Sequence, residues 1–233
     1  MIQTQVQLKD TEVLEDMGFD GLHIVQDVTL YRFTSDSVLL SKFAKPKNGD
    51  VVADFCAGSG IVAFHFFALN KEKFKNLRFT LFEMQSSLLE LAKKTAQVNE
   101  FDNFCFQLGK LQDLDEKYRE KFSLVLCNPP YERGGFDNEE YHKAVCRKEL
   151  TITLKEIAVA AAKALKFGGR IAMLHRADRV AEVCYTLKAV GIEVKRMQFV
   201  SGKAGAKPYL VMIEGVKGGK VGCEVDNYSI NEK

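Results

Sequence analysis

An α/β architecture with a mostly parallel sheet and helices on both faces is what this sequence predicts, and three observations predict it. Strand-like and helix-like runs alternate from residue 50 onward, the pattern of a sheet whose strands are joined by crossover helices. The run Val51-Val52-Ala53-Asp54-Phe55 leads into a glycine turn, Cys56-Ala57-Gly58-Ser59-Gly60. A later apolar run, Phe122 to Cys127, leads into Asn128-Pro129-Pro130-Tyr131. In parallel sheets ligands sit beyond the carboxyl ends of the strands, so these two junctions should meet in one cleft.

Residues 21–33 read as a short strand or hairpin region. Ser35-Asp36 opens a helix through Ala44, with Val38, Leu39, Leu40 and Phe43 at helical spacing, and Pro46 and Gly49 stop it. Strands are expected near 50–55, 77–83, 103–108, 122–127 and 169–175, and helices near 59–69, 86–99, 149–167 and 177–190. Two last strands, near 192–200 and 208–216, bring the sheet to seven. The expected organisation is an N-terminal extension, 1–48, packed on a core domain, 49–220, with a C-terminal tail, 221–233.

The chain has 233 residues, of which 46% are hydrophobic, enough for one sizeable core. A net charge of +2 excludes a polycation, so any nucleic-acid binding must come from a local patch. The six cysteines form no Cys-x-x-Cys and no Cys/His cluster with zinc spacing, so they read as core residues or free thiols in a reducing cytosol. The first residues lack a basic-then-apolar leader, and no apolar run approaches the ~20 residues of a membrane span. A soluble, cytoplasmic protein is expected.

The glycine turn ends a strand and starts a helix. Glycines there permit positive φ and close approach of a ligand, and the helix start offers free N–H groups. Glu83 ends the next strand, Phe79-Thr80-Leu81-Phe82-Glu83, where a carboxylate can accept hydrogen bonds from a ribose diol. The dinucleotide fingerprint Gly-x-Gly-x-x-Gly is absent, because Ile61-Val62-Ala63 follows Gly60. That argues against a pyrophosphate-binding loop.

Together these residues resemble the class I S-adenosylmethionine-dependent methyltransferases, whose fold is Rossmann-like. The resemblance implies that Asp54 lies near the methionine end of the cofactor, that Ala57, Gly58 and Gly60 pass close to it, and that Glu83 grips the ribose. One departure concerns the end of the third core strand, where the family often carries an aspartate against the adenine. Here Lys110 takes that place, and either Asp113 or the local backbone substitutes for it.

Two consecutive prolines remove two backbone donors and stiffen the chain, leaving the carbonyls of Asn128 and Pro129 as acceptors beside the Asn128 side chain. An exocyclic amine has two N–H groups to donate but a delocalised lone pair. Fixed acceptors orient it and favour pyramidal geometry, so catalysis is mainly positioning. Tyr131 offers a ring on which a planar group can stack. Asn128-Pro129-Pro130-Tyr131 resembles motif IV of amino-methyltransferases, which act on base amines or on a protein glutamine amide.

The flanks narrow the resemblance. The stretch from Phe33 to Leu40 (Phe-Thr-Ser-Asp-Ser-Val-Leu-Leu), the segment Glu132-Arg133-Gly134-Gly135-Phe136, the run Arg147-Lys148-Glu149 and the loop 199–208 are similar to the bacterial tRNA1(Val) adenine-N(6)-methyltransferases. That family modifies the adenine beside the anticodon. The likeness covers about residues 20–220 and implies a tRNA substrate contacted by Asp36, Arg133, Arg147, His175, Arg176, Lys203 and Lys207. From Lys195 to Lys220 six basic residues face one acid, Glu214, as phosphate contacts need. The alternatives are a release-factor glutamine methyltransferase, whose relatives usually carry a separate N-terminal helical domain, another rRNA or DNA amino-methyltransferase, or an inactive RNA-binding scaffold. No obligate protein partner and no metal is expected.

Overall fold

The computed structural model describes residues 6–19, 21–30, 32, 33, 35–130 and 151–230. A hairpin comes first: β1 (Glu12–Asp16) pairs antiparallel with β2 (His23–Asp27). Then follow α1 (Ser35–Phe43), β3 (Val51–Phe55), α2 (Ile61–Asn70), β4 (Arg78–Glu83), α3 (Ser86–Val98), β5 (Phe104–Leu108) and β6 (Phe122–Cys127). The described chain resumes with α4 (Leu154–Ala164), β7 (Leu165–Arg176), α5 (Val180–Ala189), β8 (Ile192–Ser201), β9 (Leu210–Lys217) and β10 (Glu224–Ser229).

The main sheet runs β10-β8-β9-β7-β6-β3-β4-β5, and β9 is its one antiparallel member among the described strands. From β3 the chain winds outward to β4 and β5, then returns to start β6 on the other side of β3. The strand order therefore reverses between β3 and β6, and it is beyond the carboxyl ends at such a reversal that sheets of this kind bind ligands.

Side-chain alternation divides the core into two layers. Val52, Phe79, Leu81, Leu124, Leu126, Ala172 and Leu174 face one layer with α1, α2 and α3. Ala53, Phe55, Phe82, Val125, Cys127, Ile171 and Met173 face the other with α4 and α5. Helix α2, Ile-Val-Ala-Phe-His-Phe-Phe-Ala-Leu-Asn, is buried nearly all round, as a helix without a polar stripe must be. A stack of Phe64, Phe67, Phe79, Phe101 and Phe104 rings fills the space between α2, β4 and β5.

The structure departs from the expected elements in three places. An eighth strand, β10, pairs parallel with β8, from Glu224 against Arg196 to Ser229 against Ser201, within what the sequence presents as a tail. Helix α4 is shorter than 149–167: Thr153 and Glu156 form a capping box at its start, and Leu165 turns extended to pair with Phe122. Residues 165–167 therefore belong to β7, and a bulge follows before Leu124 meets Arg170. The hairpin also begins earlier than expected, at Glu12.

The hairpin is held to the core by side chains that complete its open edge. Asn99 Oδ1 accepts from the His23 amide at 2.9 Å, while Asn99 Nδ2 donates to the His23 carbonyl at 2.6 Å. Thr95 Oγ1 accepts from the Val25 amide at 2.9 Å. Thr95 of α3 and Asn99, which caps that helix, thus do for β2 what a third strand would do, and they cover an edge that could otherwise pair with another chain. Asn99→Ala should cost about 1–3 kcal/mol, the scale for stranding polar groups away from water. Amide exchange at His23 should accelerate while Val25, held by Thr95, stays protected; unchanged exchange at His23 would contradict this anchoring.

Candidate active site

Period-2 alternation decides which strand-end side chains can meet. Asp54 shares the parity of Val52, Glu83 that of Phe79 and Leu81, and Asn128 that of Leu124 and Leu126. All three therefore turn to the α1/α2 face at the carboxyl edge, on adjacent strands around the point where strand order reverses.

Asp54 is buried, and its Oδ2 accepts from the Ala63 amide in the first turn of α2 at 3.2 Å. Its Oδ1 is also buried and has no protein partner. Burial first, then the nearby Glu83 charge, raises the Asp54 carboxyl to about 8, against the single amide that opposes it. The turn that follows contains three residues at positive φ: Cys56 at 57°, Gly58 at 58° and Gly60 at 87°. The two glycines serve different ends. A Cβ on Gly60 would lie 2.5 Å from Phe64 Cε2 and 2.8 Å from Leu81 Cδ2, so packing requires the absence of a side chain. A Cβ on Gly58 would meet nothing within 4 Å, so that position borders open space. Ser59 accepts from Gln26 Nε2 at 2.7 Å, which ties the turn to the hairpin.

Glu83 is the acceptor that shapes the turn. Its Oε2 accepts from Gly58 N at 2.9 Å, and its Oε1 accepts from Met84 N at 2.9 Å and Gln85 N at 2.8 Å. Burial raises its pKa, and the three amides pull it back. With roughly four acceptor positions on a carboxylate, three taken leave room for one further hydrogen bond at Oε2.

At the end of β6, Asn128 is half-buried while Pro129 and Pro130 are buried. Asn128 Nδ2 donates to Ser37 Oγ at 2.9 Å, and its Oδ1 is buried without a partner. Asp54 Oδ1 and Asn128 Oδ1 are thus two buried, unsatisfied oxygens at the carboxyl ends of adjacent strands. Orphaned acceptors of this kind point to a ligand that donates. Asp54, Gly58 and Glu83 fit a cofactor with a cationic amino-acid end and a ribose. Cys127 adjoins the site, but burial and then its hydrogen bond with Cys56 hold its thiol well above the usual range, which removes it as a thiolate nucleophile.

The remaining expected residues divide. Lys110 and Asp113 are both exposed beyond the end of β5, in the turn whose Gly109 amide donates to the Glu83 carbonyl. Asp36 hydrogen-bonds the Tyr209 phenol, whose pKa is raised by burial and then by that carboxylate. Arg176 is exposed at the end of β7 and forms a two-pronged ion pair with Asp178, at 3.0 and 2.7 Å. His175 has the opposite parity, that of Ile171 and Met173. It is fully buried in the α4/α5 layer, its Nδ1 accepting from the Arg176 amide, so its ring is not on the cleft surface.

The basic stretch is not one patch. Lys203 and Lys207 are exposed in the loop after β8, at the carboxyl edge near Arg176. Lys195, Lys217 and Lys220 lie toward the opposite end of the sheet, where Lys195 donates to the Lys220 carbonyl and Lys217 to the Leu165 carbonyl. Arg196 stacks on Phe43 and pairs with Glu214 at 3.2 Å. Tyr131, Arg133 and Arg147 lie outside the described residues. Sequence reasoning passed over Ser37 and Gln26, whose partners are far away in the chain.

A family model described as "Methyltransferase domain" matches residues 46–210. Among curated proteins, the chain is 23% identical over 174 residues to a tRNA1(Val) (adenine(37)-N6)-methyltransferase of Porphyromonas gingivalis, covering 71% of this chain and 67% of that one. It is 28% identical over 108 residues to a release factor glutamine methyltransferase of Mycoplasma mycoides, covering 46% of this chain and 37% of that one. Among solved structures, a predicted O-methyltransferase of Agrobacterium tumefaciens superposes with a TM-score of 0.64 at 16% identity, over 83% of this chain and 85% of the other. At that identity the likeness is one of fold.

The raised Asp54 pKa has a testable consequence. Between the ordinary value of 3.8 and about 8, the folded chain holds a proton that the unfolded chain has released. The resulting stability is full below the ordinary value and fades as pH rises through the folded one. Asp54→Asn abolishes this titration. Thermal melts of the ligand-free protein from about pH 5 to 8 should show the variant gaining on the wild type as pH rises. Parallel curves would contradict a protonated Asp54.

Proposed function

We propose that this chain, which belongs to the methyltransferase-domain family, transfers a methyl group to the exocyclic amine of an adenine in tRNA. At the level of reaction class it is an S-adenosylmethionine-dependent methyltransferase with a Rossmann-like fold. The observation that carries the amine reading is Asn128 Oδ1, a buried acceptor without a partner, on the same face as Asp54 and Glu83.

S-adenosylmethionine, when bound, supplies a methyl group activated by a sulfonium. Asp54, ionised by the charge of the cationic amino-acid end, accepts from it; Gly58 lets the backbone come close while Gly60 packs on Phe64 and Leu81, and Glu83 takes one ribose hydroxyl. Asn128 Oδ1 and the carbonyls of Asn128 and Pro129 accept the two N–H groups of the amine. They turn its lone pair toward the methyl, and after attack they keep hydrogen bonds to the methylated ammonium, which then loses its proton to water. No strong base is required before the transfer, and the nearby imidazoles are unsuited to be one. His65 is buried, held to Ser41 at 2.7 Å, and lowered to about 4 by burial and then Lys42. His175 is likewise lowered to about 4, by burial and then Arg179.

Lys203, Lys207 and Arg176 stand at the carboxyl edge, where a polyanion docking over the crevice would meet them. The name of the Porphyromonas gingivalis relative supports tRNA adenine as the target. Tyr131, as a stacking ring, and Arg133 and Arg147, as phosphate contacts, complete the proposal from sequence alone. No helix among the described residues is long and apolar enough to cross a membrane, and a tRNA substrate places the enzyme in the cytoplasm. A glutamine amide carries the same two N–H groups, and the Mycoplasma mycoides relative bears that name. One assay separates the two: labelled S-adenosylmethionine is offered to total tRNA and to a release factor, and the products are read by nucleoside and peptide mass spectrometry. N6-methyladenosine is expected. A methylated glutamine with unmodified tRNA would replace the RNA reading by the amide one.

Asn128→Ala should lower kcat by on the order of 10²-fold, the scale for losing one preorganised polar group, with cofactor affinity little changed. Near-normal turnover would reduce Asn128 to a shaping role. Reversing Lys203 and Lys207 to Glu should weaken tRNA binding and flatten its log–log salt dependence by about 1–2 units, roughly one per phosphate contact. Calorimetric cofactor affinity should hold. A salt slope identical to the wild type would remove the loop from the RNA interface.

A further inference from the structure

We infer that Ser37 is a positioning residue for methyl transfer: its hydroxyl anchors the Asn128 carboxamide that receives the amine. The inference rests on Asn128 being the amine acceptor, and it adds the group that holds it in place. A carboxamide turns about its last side-chain bond, a soft torsion with broad wells. An unanchored one would spread its oxygen over many directions, and the substrate amine would lose its fixed acceptor.

The anchor is at 2.9 Å, where Asn128 Nδ2 donates to Ser37 Oγ. Ser37 is 4% exposed, so water does not compete for that hydroxyl. Its helix is held from three sides. Leu40 and Phe43 sink into the core beneath it. Ser41, on the same buried face of α1, hydrogen-bonds His65 of α2 at 2.7 Å. Asp36, next in the chain, is bound to Tyr209 before β9. A helix fixed in this way holds Ser37 Oγ in place beside the carboxamide. With Nδ2 engaged there, Oδ1 is the end left without a partner.

The test needs variants that separate a hydroxyl from a helix. Single-turnover rates are measured with saturating S-adenosylmethionine and total tRNA. Ser37→Ala should lower the rate about 10-fold, the scale of one net hydrogen bond, with calorimetric cofactor affinity unchanged. Ser37→Thr, which keeps the hydroxyl, should recover most of the rate. On an Asn128→Ala background, Ser37→Ala should add no further loss, because the two act through one carboxamide. A second readout needs no substrate. The Asn128 side-chain amide resonances, identified by their loss in Asn128→Ala, should shift in Ser37→Ala and return toward their original positions in Ser37→Thr.

Unmoved resonances, a full rate in Ser37→Ala, or an equal loss on the Asn128→Ala background would each overturn the inference. A crippled Asn128→Ala beside a normal Ser37→Ala sinks only the role of Ser37. A normal Asn128→Ala sinks the amine-acceptor reading, and the role of Ser37 with it.

Discussion

The parallel pairing of β3 with β6 is the contact on which the site depends. Its register sets Asp54 beside Leu126 and Phe55 beside Cys127. Both strands therefore end together, and the next residues on each, the glycine turn and Asn128, emerge side by side. Sliding β6 by one residue would send Asn128 to the α4/α5 layer and close the crevice to its carboxamide. The register is secured well away from the site. Ser123, near the start of β6, donates to Asp50 at 2.6 Å and accepts from the Val51 amide, and Asp50 in turn pairs with Arg170 of β7 at 2.7 Å. This buried network at the amino end of three adjacent strands fixes their offsets, and the carboxyl ends inherit them.

Around that junction, the N-terminal elements act as a frame. Helix α1 reaches Asn128 through Ser37, α2 through Ser41, and the loop before β9 through Asp36. The hairpin reaches the glycine turn through Gln26 and Ser59, and α3 through Asn99. The glycine turn and Asn128 are thus bound to the same small set of residues before β3. Two features in the middle of that frame, Asp54 with a raised pKa and the positive φ of Cys56, are costs that a packed core alone would not select. Strain and desolvated carboxyls gather where a ligand repays them.

Much of this was legible in the sequence. Strand-to-turn junctions gave Asp54, Glu83 and Asn128, because an apolar run ending in an acid, a glycine or Asn-Pro-Pro has a local physical meaning. The position of His175 was legible too: it keeps step with Ile171 and Met173, so alternation alone puts it in the other layer. Ser37 was not legible. Its partner is 91 residues away, and only the folded chain brings them together. Nor was β10, whose Glu-Val-Asp-Asn-Tyr-Ser has no apolar run and becomes a strand by pairing along the exposed edge of β8. The first residues of β7 read as helix for a similar reason, since pairing with Phe122 overrides local propensity there. The lysines between 195 and 220 are contiguous in composition, but the β8–β9 hairpin sends them to opposite ends of the sheet.

The central claim is that one crevice, between the ends of β3 and β6, holds both cofactor and target amine. It is tested most directly by titrating isotope-labelled protein with S-adenosylhomocysteine, then following the backbone amides of Gly58, Gly60, Gln85 and Asn128 by NMR. All four should move along one saturation curve, with the β3, β4 and β6 ends responding together. Saturable shifts confined elsewhere, such as the surface hollow lined by Lys93, Phe101 and Phe106, with these four amides unmoved, would contradict it.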